Sequence, residues 1–545
     1  MSRTGSKIEV FVRCSQLVNL DLLSKSDPLC VLYEKRQDAW TECGRTEVIN
    51  DTLDPQFSTT FIVDYHLDEL QLLKFVVYDV DSSSADLSSH DLIGEAEVTL
   101  SSIIISSPEL VKELRLAKNP QKKNRGMIHL VAEEVKESKS IIRFDIAARN
   151  LKNKCSSLKR FLRNSSTFLE LRRKNEDGSE VLVYKTEVVK NSANPHWTCF
   201  EIPSWKLCNS DYARPIEFTC KHWKSSDTAV VIGRAFVSVE ELLGQQMFTK
   251  NLVSSSSSSS SSSKKRPPGT LLFQSVSPTP IYSFVDYLKG GCSLSVMVAV
   301  DFTASNGVPS LPHSLHYNGP TPNAYVEAIT SIGKILAEYD SDQMFPAWGF
   351  GAKLPANRAD VSHCFPLSGN TYNPEVYGVE GILTAYRQSL DHVHLSGPTL
   401  FSPILDAALR YVRSDSVTQE HQTYNILLIV TDGVIHDMEK TIDKIVDASD
   451  EALSIIIVGV GDADFSQMET LDADSVPLES SKGRTMSRDI VQFVSFGELR
   501  HRIGMDFSLA REVLAEVPDQ LVSFMKFRGI APNCAAVHGN PPSDR

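Results

Sequence analysis

No apolar run in the 545-residue chain approaches the length of a membrane span. Residues 1–7 are polar and lack the apolar stretch of a secretion signal, and Ser2 leaves no glycine for N-myristoylation. Paired cysteines are missing as well. The ten cysteines are scattered without a Cys-x-x-Cys spacing, and Cys30 and Cys220 fall inside strand-like patterns. That usage suits a reduced, cytosolic protein rather than a disulfide scaffold. Positive charge is in short supply. A formal net charge of −13 argues against a general nucleic-acid binder, while leaving room for local basic patches. There is no glycine-rich phosphate loop with its lysine and no Gly-x-Ser-x-Gly. The length suggests about three or four domains.

What is present is most concentrated in residues 293–307. Residues 294–300 are apolar, largely β-branched and too short for a typical helix, as in a strand buried on both faces. The strand ends on Asp301, followed by Thr303, Ser305 and Gly307. One carboxylate and two hydroxyls thus leave the carboxyl end of a central strand, where ligands sit in open α/β sheets. Oxygen-only donors suit a hard cation, Mg²⁺ first, with Mn²⁺ or Ca²⁺ as alternatives. Gly397-Pro-Thr399 adds a hydroxyl ahead of a helical pattern, and residues 425–430 form a second buried strand ending on Thr431-Asp432-Gly433. Taken in that order, the three stretches resemble the metal-ion-dependent adhesion site (MIDAS) of von Willebrand factor A (vWA) domains. The resemblance implies that Thr303, Ser305 and Thr399 contact the metal and that Asp301 and Asp432 hold it directly or through water. A partner's carboxylate would complete the coordination.

Residues 1–134 show short strand-like runs separated by turns, the spacing of an antiparallel β-sandwich. Asp21 and Asp27 occupy one loop; Asp79, Asp81 and Asp91 occupy another. Five neighbouring carboxylates repel each other unless cations bind between them, and Ca²⁺ tolerates the irregular geometry of such loops. The pattern resembles the calcium loops of a C2 domain, which dock on anionic phospholipid.

Residues 138–280 repeat the first domain. Arg45-Thr-Glu-Val-Ile and Leu53-Asp-Pro-Gln-Phe recur as Lys185-Thr-Glu-Val-Val and Ala193-Asn-Pro-His-Trp; Asp91-Leu-Ile-Gly recurs as Val230-Val-Ile-Gly. Overlaying the copies puts Arg160, Ser166, His222, Lys224 and Val230 where the first has its five aspartates. This predicts a second domain without a calcium site. Arg160, Arg163, Lys221 and Lys224 are candidates for contacting anionic lipid without an ion, with Lys154 and Lys159 adding positive charge. The serine run at 254–263 cannot bury apolar surface and is expected to be disordered.

Residues 283–529 alternate strand and helix patterns, giving a doubly wound, Rossmann-like α/β domain with the metal motif at its switch point. Residues 511–527 read as a terminal helix that Pro518 breaks or kinks, and residues 530–545 as a loose tail. The order of two C2-like sandwiches and one vWA-like domain resembles the copine family. Its specific carriers are Ser26-Asp-Pro-Leu-Cys-Val-Leu-Tyr, Phe284-Val-Asp-Tyr-Leu-Lys-Gly-Gly, Asp301-Phe-Thr-Ala-Ser-Asn-Gly, Ser314-Leu-His-Tyr, Met344-Phe-Pro-Ala-Trp-Gly-Phe-Gly-Ala, Ser454-Ile-Ile-Ile-Val-Gly-Val-Gly and Arg488-Asp-Ile-Val-Gln-Phe-Val.

That resemblance implies a cytoplasmic, non-enzymatic adaptor that becomes peripheral at the plasma membrane when calcium rises and recruits protein targets through its vWA domain. The family usually keeps aspartates in both C2 domains; this chain departs from that in the second. The competing reading is a metal-dependent enzyme acting on a phosphoester or nucleotide. Against it, no His or Glu stands beside the metal motif as an evident general base. An extracellular adhesion protein would need a signal sequence or a membrane span.

Overall fold

Buried and exposed residues alternating with a period of two build the first sandwich. In the computed structural model, strand Ser6–Ser15 turns Ile8, Val10, Val12 and Cys14 inward. It lies between Phe61–Tyr65 and Met127–Glu134, with Leu110–Glu113 at the edge. The facing sheet runs Ala39–Arg45, Pro28–Arg36, Leu72–Asp79, Asp91–Thr99. Every pairing in both sheets is antiparallel. The structure describes residues 6–21, 24–36, 39–82, 84–117, 125–135, 140–152, 165–174, 180–225, 228–254, 267–473, 476–503 and 509–533.

The second sandwich repeats this strand order: Glu180–Lys185, Thr167–Lys174, Ile216–Ser225, Thr228–Val237 in one sheet and Phe200–Pro203, Ser140–Arg149, Thr270–Pro280, Phe248–Asn251 in the other. The duplication extends to single hydrogen bonds. Cys30 N–H donates to Thr46 Oγ1, as Leu169 N–H donates to Thr186 Oγ1, both at 2.9 Å. Gln16 N–H donates to Asp54 Oδ1, as Asn150 N–H donates to Asn194 Oδ1, both at 2.8 Å. Beyond Ser254, the serine run lies outside the described residues, as do Lys154, Lys159, Arg160, Arg163 and residues 534–545.

The third domain is a seven-stranded sheet. Met344–Phe350, Ser293–Asp301, Thr423–Thr431, Leu453–Gly459 and Val491–Ser495 run parallel in that order. Short antiparallel strands pair with the edge of Met344–Phe350. Ser293–Asp301 has its next strand on one side and Thr423–Thr431 on the other, so the order reverses there. Helix Ala324–Leu336 buries Ala328, Ile329 and Ile332 and is capped by the Asn323 side chain, which accepts from Val326 N–H. The predicted terminal helix is two helices, Leu509–Val513 and Val517–Arg528. Pro518 stands in the first turn of the second, where a missing N–H costs nothing, so it starts a helix rather than kinking one. Gly529 ends that helix at φ 68°, a conformation glycine adopts without strain. Among the described residues, no helix is long and apolar enough to cross a membrane.

Two compact units result: residues 1–135 with 283–545, and residues 136–282. Within the first unit, one apolar core runs from the sandwich into the α/β domain and includes Ile103, Ile104, Phe284, Tyr287 and Leu288. Burying a side chain of this size contributes about 1.5–3 kcal/mol. Polar contacts lock the seam. The Tyr65 and Tyr339 hydroxyls meet at 2.8 Å, Thr99 Oγ1 donates to Glu338 Oε2 at 2.9 Å, and Lys289 Nζ donates to the Ala132 carbonyl at 2.7 Å.

Candidate metal centres

In the α/β domain, Asp301 ends its strand fully buried. The Thr303 N–H donates to its Oδ1 at 2.8 Å and the Thr431 hydroxyl to its Oδ2 at 2.6 Å. Asp432, from the neighbouring strand's end, accepts at Oδ1 from Ser305 Oγ at 3.1 Å and from Thr303 Oγ1 at 3.4 Å. The Thr303 and Ser305 hydroxyls are 2.9 Å apart. Thr399 belongs to the same cluster: a Cβ built on Gly433 would stand 3.7 Å from Thr399 Oγ1 and 3.9 Å from Ser305 Oγ. The structure therefore brings together all five residues of the sequence motif.

Burial, and then the charge of Asp432, push the Asp301 carboxyl up to about 7, against the hydrogen bonds from Thr431 and Thr303. Burial also raises Asp432. Two carboxylates and three hydroxyls at this spacing fit a hard divalent cation, whose charge would offset the repulsion that now favours protonation.

Several supporting roles escaped the sequence reading, in which Thr431 and Asn306 are only members of the motif stretches. Thr431 orients Asp301. Asn306 Nδ2 donates to the Thr303 carbonyl at 3.2 Å and its Oδ1 accepts from the buried Tyr325 hydroxyl at 2.7 Å. Asp437 accepts from the first N–H groups of the helix after Thr399, Phe401 at Oδ1 and Ser402 at Oδ2, both at 3.0 Å. His436 N–H donates to the Thr399 carbonyl at 3.0 Å. The Thr399 loop is thereby clamped to the Asp432 loop. In sequence Asp437 is one acidic residue shortly past the Thr-Asp-Gly; only the third dimension joins it to the Thr399 loop.

In the first sandwich, Asp79 is 1% exposed and Asp27 N–H donates to its Oδ1 at 2.6 Å. Asp79 Oδ2 is buried without a hydrogen-bond partner among the described residues. Burial raises its carboxyl, and the charges of Asp21 and Asp81 add to that, against hydrogen bonds from Ser26 and Asp27. Asp27 Oδ1 accepts from Asp51 N–H at 2.7 Å, Asp81 Oδ2 from Asp91 N–H at 3.1 Å, and Asp21 Oδ2 from Ser24 Oγ at 2.8 Å. Among the described residues no three Asp, Glu, His or Cys side chains form a group ready to hold a metal. Asp21, Asp27, Asp79 and Asp81 each accept from a nearby donor, and Asp79 pairs with Asp91 across neighbouring strands. An orphaned, buried carboxylate oxygen flanked by two further carboxylates still has the donor chemistry of a calcium site.

The second sandwich keeps the scaffold of this site without its acids. Trp223 N–H donates to the Ser166 carbonyl at 2.8 Å, as Val80 N–H does to Asp27 at 3.0 Å. Asn191 N–H donates to Ser166 Oγ at 3.2 Å, the place of the Asp51–Asp27 bond. His222, in the position of Asp79, meets the Ser166 carbonyl through Nδ1 at 3.1 Å. Lys224 is exposed. Lys221 differs from the expectation of free positive charge. Its Nζ bonds Glu170 Oε2 at 2.7 Å, and Arg172 reaches the same oxygen at 3.1 Å. Glu170 is largely buried, so pairing holds Lys221 on the sheet. Arg160 and Arg163 lie outside the described residues.

The C2 domain family model matches residues 7–116 and again 144–252, and the Copine model matches residues 314–533. The chain belongs to the copine family. The Copine match includes Thr399 and Asp432 of this copine and begins after Asp301, Thr303 and Ser305. Similar solved structures include the first of the C2 domains of a plant Extended Synaptotagmin 1, at 21% identity over 25% of this chain and 99% of that one, TM-score 0.20. Another, titled BON1-C2B, shares 22% identity over 26% of this chain and 94% of its own, TM-score 0.22. The calcium-bound pair of C2 domains from Extended-Synaptotagmin 2 shares 15% over 51% of this chain and 98% of its own, TM-score 0.20. Two C2 domains and a Copine domain are the parts of a membrane-associated adaptor, and both families are typically non-catalytic binding modules.

Proposed function

We propose that this copine is a calcium-responsive adaptor. Its first domain, residues 1–134, binds Ca²⁺ through Asp21, Asp27, Asp79, Asp81 and Asp91 and then docks on anionic phospholipid at the plasma membrane. The observation that carries this is the buried, unpartnered Asp79 Oδ2, flanked by the charges of Asp21 and Asp81. Sensor sites of this kind work at Kd of about 10⁻⁷–10⁻⁵ M. The second domain, residues 138–280, adds calcium-independent attraction through Lys224 with Arg160 and Arg163, at roughly 1 kcal/mol per basic residue near an anionic surface. The third domain, residues 283–529, holds Mg²⁺ or Mn²⁺ between Asp301, Thr303, Ser305, Thr399 and Asp432. The cation would supply a Lewis-acidic position for a partner's carboxylate, and the protein's own groups orient that position.

Co-sedimentation of the full chain with phosphatidylserine vesicles tests the calcium arm. Asp21→Asn with Asp27→Asn is expected to abolish the calcium-dependent fraction and to leave any fraction bound in chelator. A double variant that sediments like wild type would remove these loops from the proposal.

A further inference from the structure

The loops around the Asp301 site are almost free of charge. No Asp, Glu, Lys or Arg occurs between Phe302 and Val326, nor from His392 to Leu405, in a chain where such residues make up 23%. These are the stretches that carry Thr303, Ser305 and Thr399. Residues 433–436, which follow Asp432, are Gly-Val-Ile-His. Apolar side chains stand out from them into solvent: Val308 is 57% exposed, Leu311 42% and Val434 40%. The fold anchors the segments that carry them at the metal residues. Leu315 N–H and Ser314 Oγ both donate to the Asn306 carbonyl at 2.9 Å, closing residues 307–314 into a loop whose ends meet next to Ser305. Val434 follows Gly433, which packs on the Thr399 and Ser305 hydroxyls.

Negative charge resumes just outside this rim. Leu315 packs at Gly461, where a Cβ would stand 3.0 Å from Leu315 Cδ1, and exposed Asp462 and Asp464 follow. A partner bearing several acids would meet repulsion there, and a partner bearing bases would find no counter-charge on the rim itself.

We propose that the site selects a single acidic side chain set between apolar neighbours, in an exposed segment of a partner protein. This rests on the metal reading above and deepens it. The apolar rim closes over the flanking side chains and shields the carboxylate–cation contact from water. That shielding strengthens the contact, because it then acts in a lower dielectric. Val308, Leu311 and Val434 are the specificity-determining residues.

The test uses the full chain in calcium-free buffer with Mn²⁺ and fluorescent, end-blocked peptides carrying one Glu flanked by Leu, by Ser or by Asp. Anisotropy titrations are expected to rank Leu-flanked above Ser-flanked by about tenfold, with Asp-flanked weakest. Val308→Ser with Val434→Thr, both at exposed positions, should remove the Leu preference. It should leave Mn²⁺ uptake at wild-type level, measured against Asp301→Ala as the blank. Equal binding of Leu- and Ser-flanked peptides overturns the rim assignment, as does a double variant that keeps the preference. A peptide with Gln for Glu that binds equally well, or binding that survives EDTA, overturns the metal reading instead. If the same double variant abolishes sedimentation with neutral phosphatidylcholine vesicles while peptides do not bind, the rim serves lipid and the proposal fails.

Discussion

Asp301 is a carboxylate without solvent, facing a second one, and its chemistry follows from that placement. Its carboxyl is raised to about 7. In the metal-free protein the folded state therefore keeps a proton that the unfolded state gives up near pH 4. The associated stability is fully present below that pH and is lost as pH rises through 7. Thermal unfolding in EDTA is expected to show a falling midpoint between pH 5 and 8 for wild type and a flatter profile for Asp301→Asn. Metal uptake has the opposite trend: protons compete with the cation, so Mn²⁺ affinity should fall as pH drops from 7.5 to 6, measurable by titration calorimetry. Asp437 gives a second residue-scale prediction. Asp437→Ala should lower Mn²⁺ affinity by about 10–100-fold, the usual cost of losing an outer-shell partner, and Asp437→Asn should restore part of it. Asp301, Thr303 and Ser305 were legible in sequence because they sit two residues apart at a strand end. The roles of Thr431 toward Asp301 and of Asp437 toward the Thr399 loop were not, because each joins residues far apart in the chain. Nor was that of Asn306, whose local bond to Thr303 and longer one to Tyr325 follow no fixed spacing.

At the level of elements, the second sandwich shows how a repeat can keep its frame and change its chemistry. The Ser166–Trp223 and Ser166–Asn191 bonds preserve the loop path that Asp27 sets in the first copy, since one uses the backbone carbonyl and the other a side-chain oxygen, the Ser166 hydroxyl accepting where the Asp27 carboxylate does. Lys221 went a different way from the sequence expectation because strand alternation places it and Glu170 on one face of paired strands. Burial pushes the Glu170 carboxyl up, but hydrogen bonds from Lys221 and Arg172 outweigh this and hold it below its usual range. Lys221→Ala should therefore destabilise the second unit by about 1–3 kcal/mol, with a loss that fades as pH falls and Glu170 takes up a proton. Denaturant unfolding at pH 7 and pH 4 checks both parts. Helix ends were the least legible elements: Pro518 marked a break in the chain pattern, and its tolerance in a first turn made it a start.

For the molecule as a whole, the sequence order of three domains hides a structure of two units. The continuous core and the Tyr65–Tyr339 contact tie the first sandwich to the α/β domain. Calcium at the first sandwich should then raise the unfolding midpoint of the transition that also reports on the α/β domain, read by calorimetry. Asp27→Asn should cancel that rise. A transition for the second sandwich should stay in place. Composition and motifs announced three folds and their order. They carried no sign of the seam, whose residues are ordinary apolar and hydroxyl side chains.

The seam also sets a schedule for synthesis. The chain leaves the first unit after Val135 and re-enters it at Ser283, whose hydroxyl bonds the Glu134 carboxylate. Ile103 and Ile104 must therefore wait for residues 136–282 to be translated before their cover exists. At about 5–20 residues per second the interval is on the order of ten seconds. The described strands of the second sandwich all lie within that span, whereas the first emerges earlier and is finished later. Ribosome-bound chains halted at residue 282 should accordingly lose the first sandwich to protease sooner than the second, and chains halted beyond residue 533 should protect both.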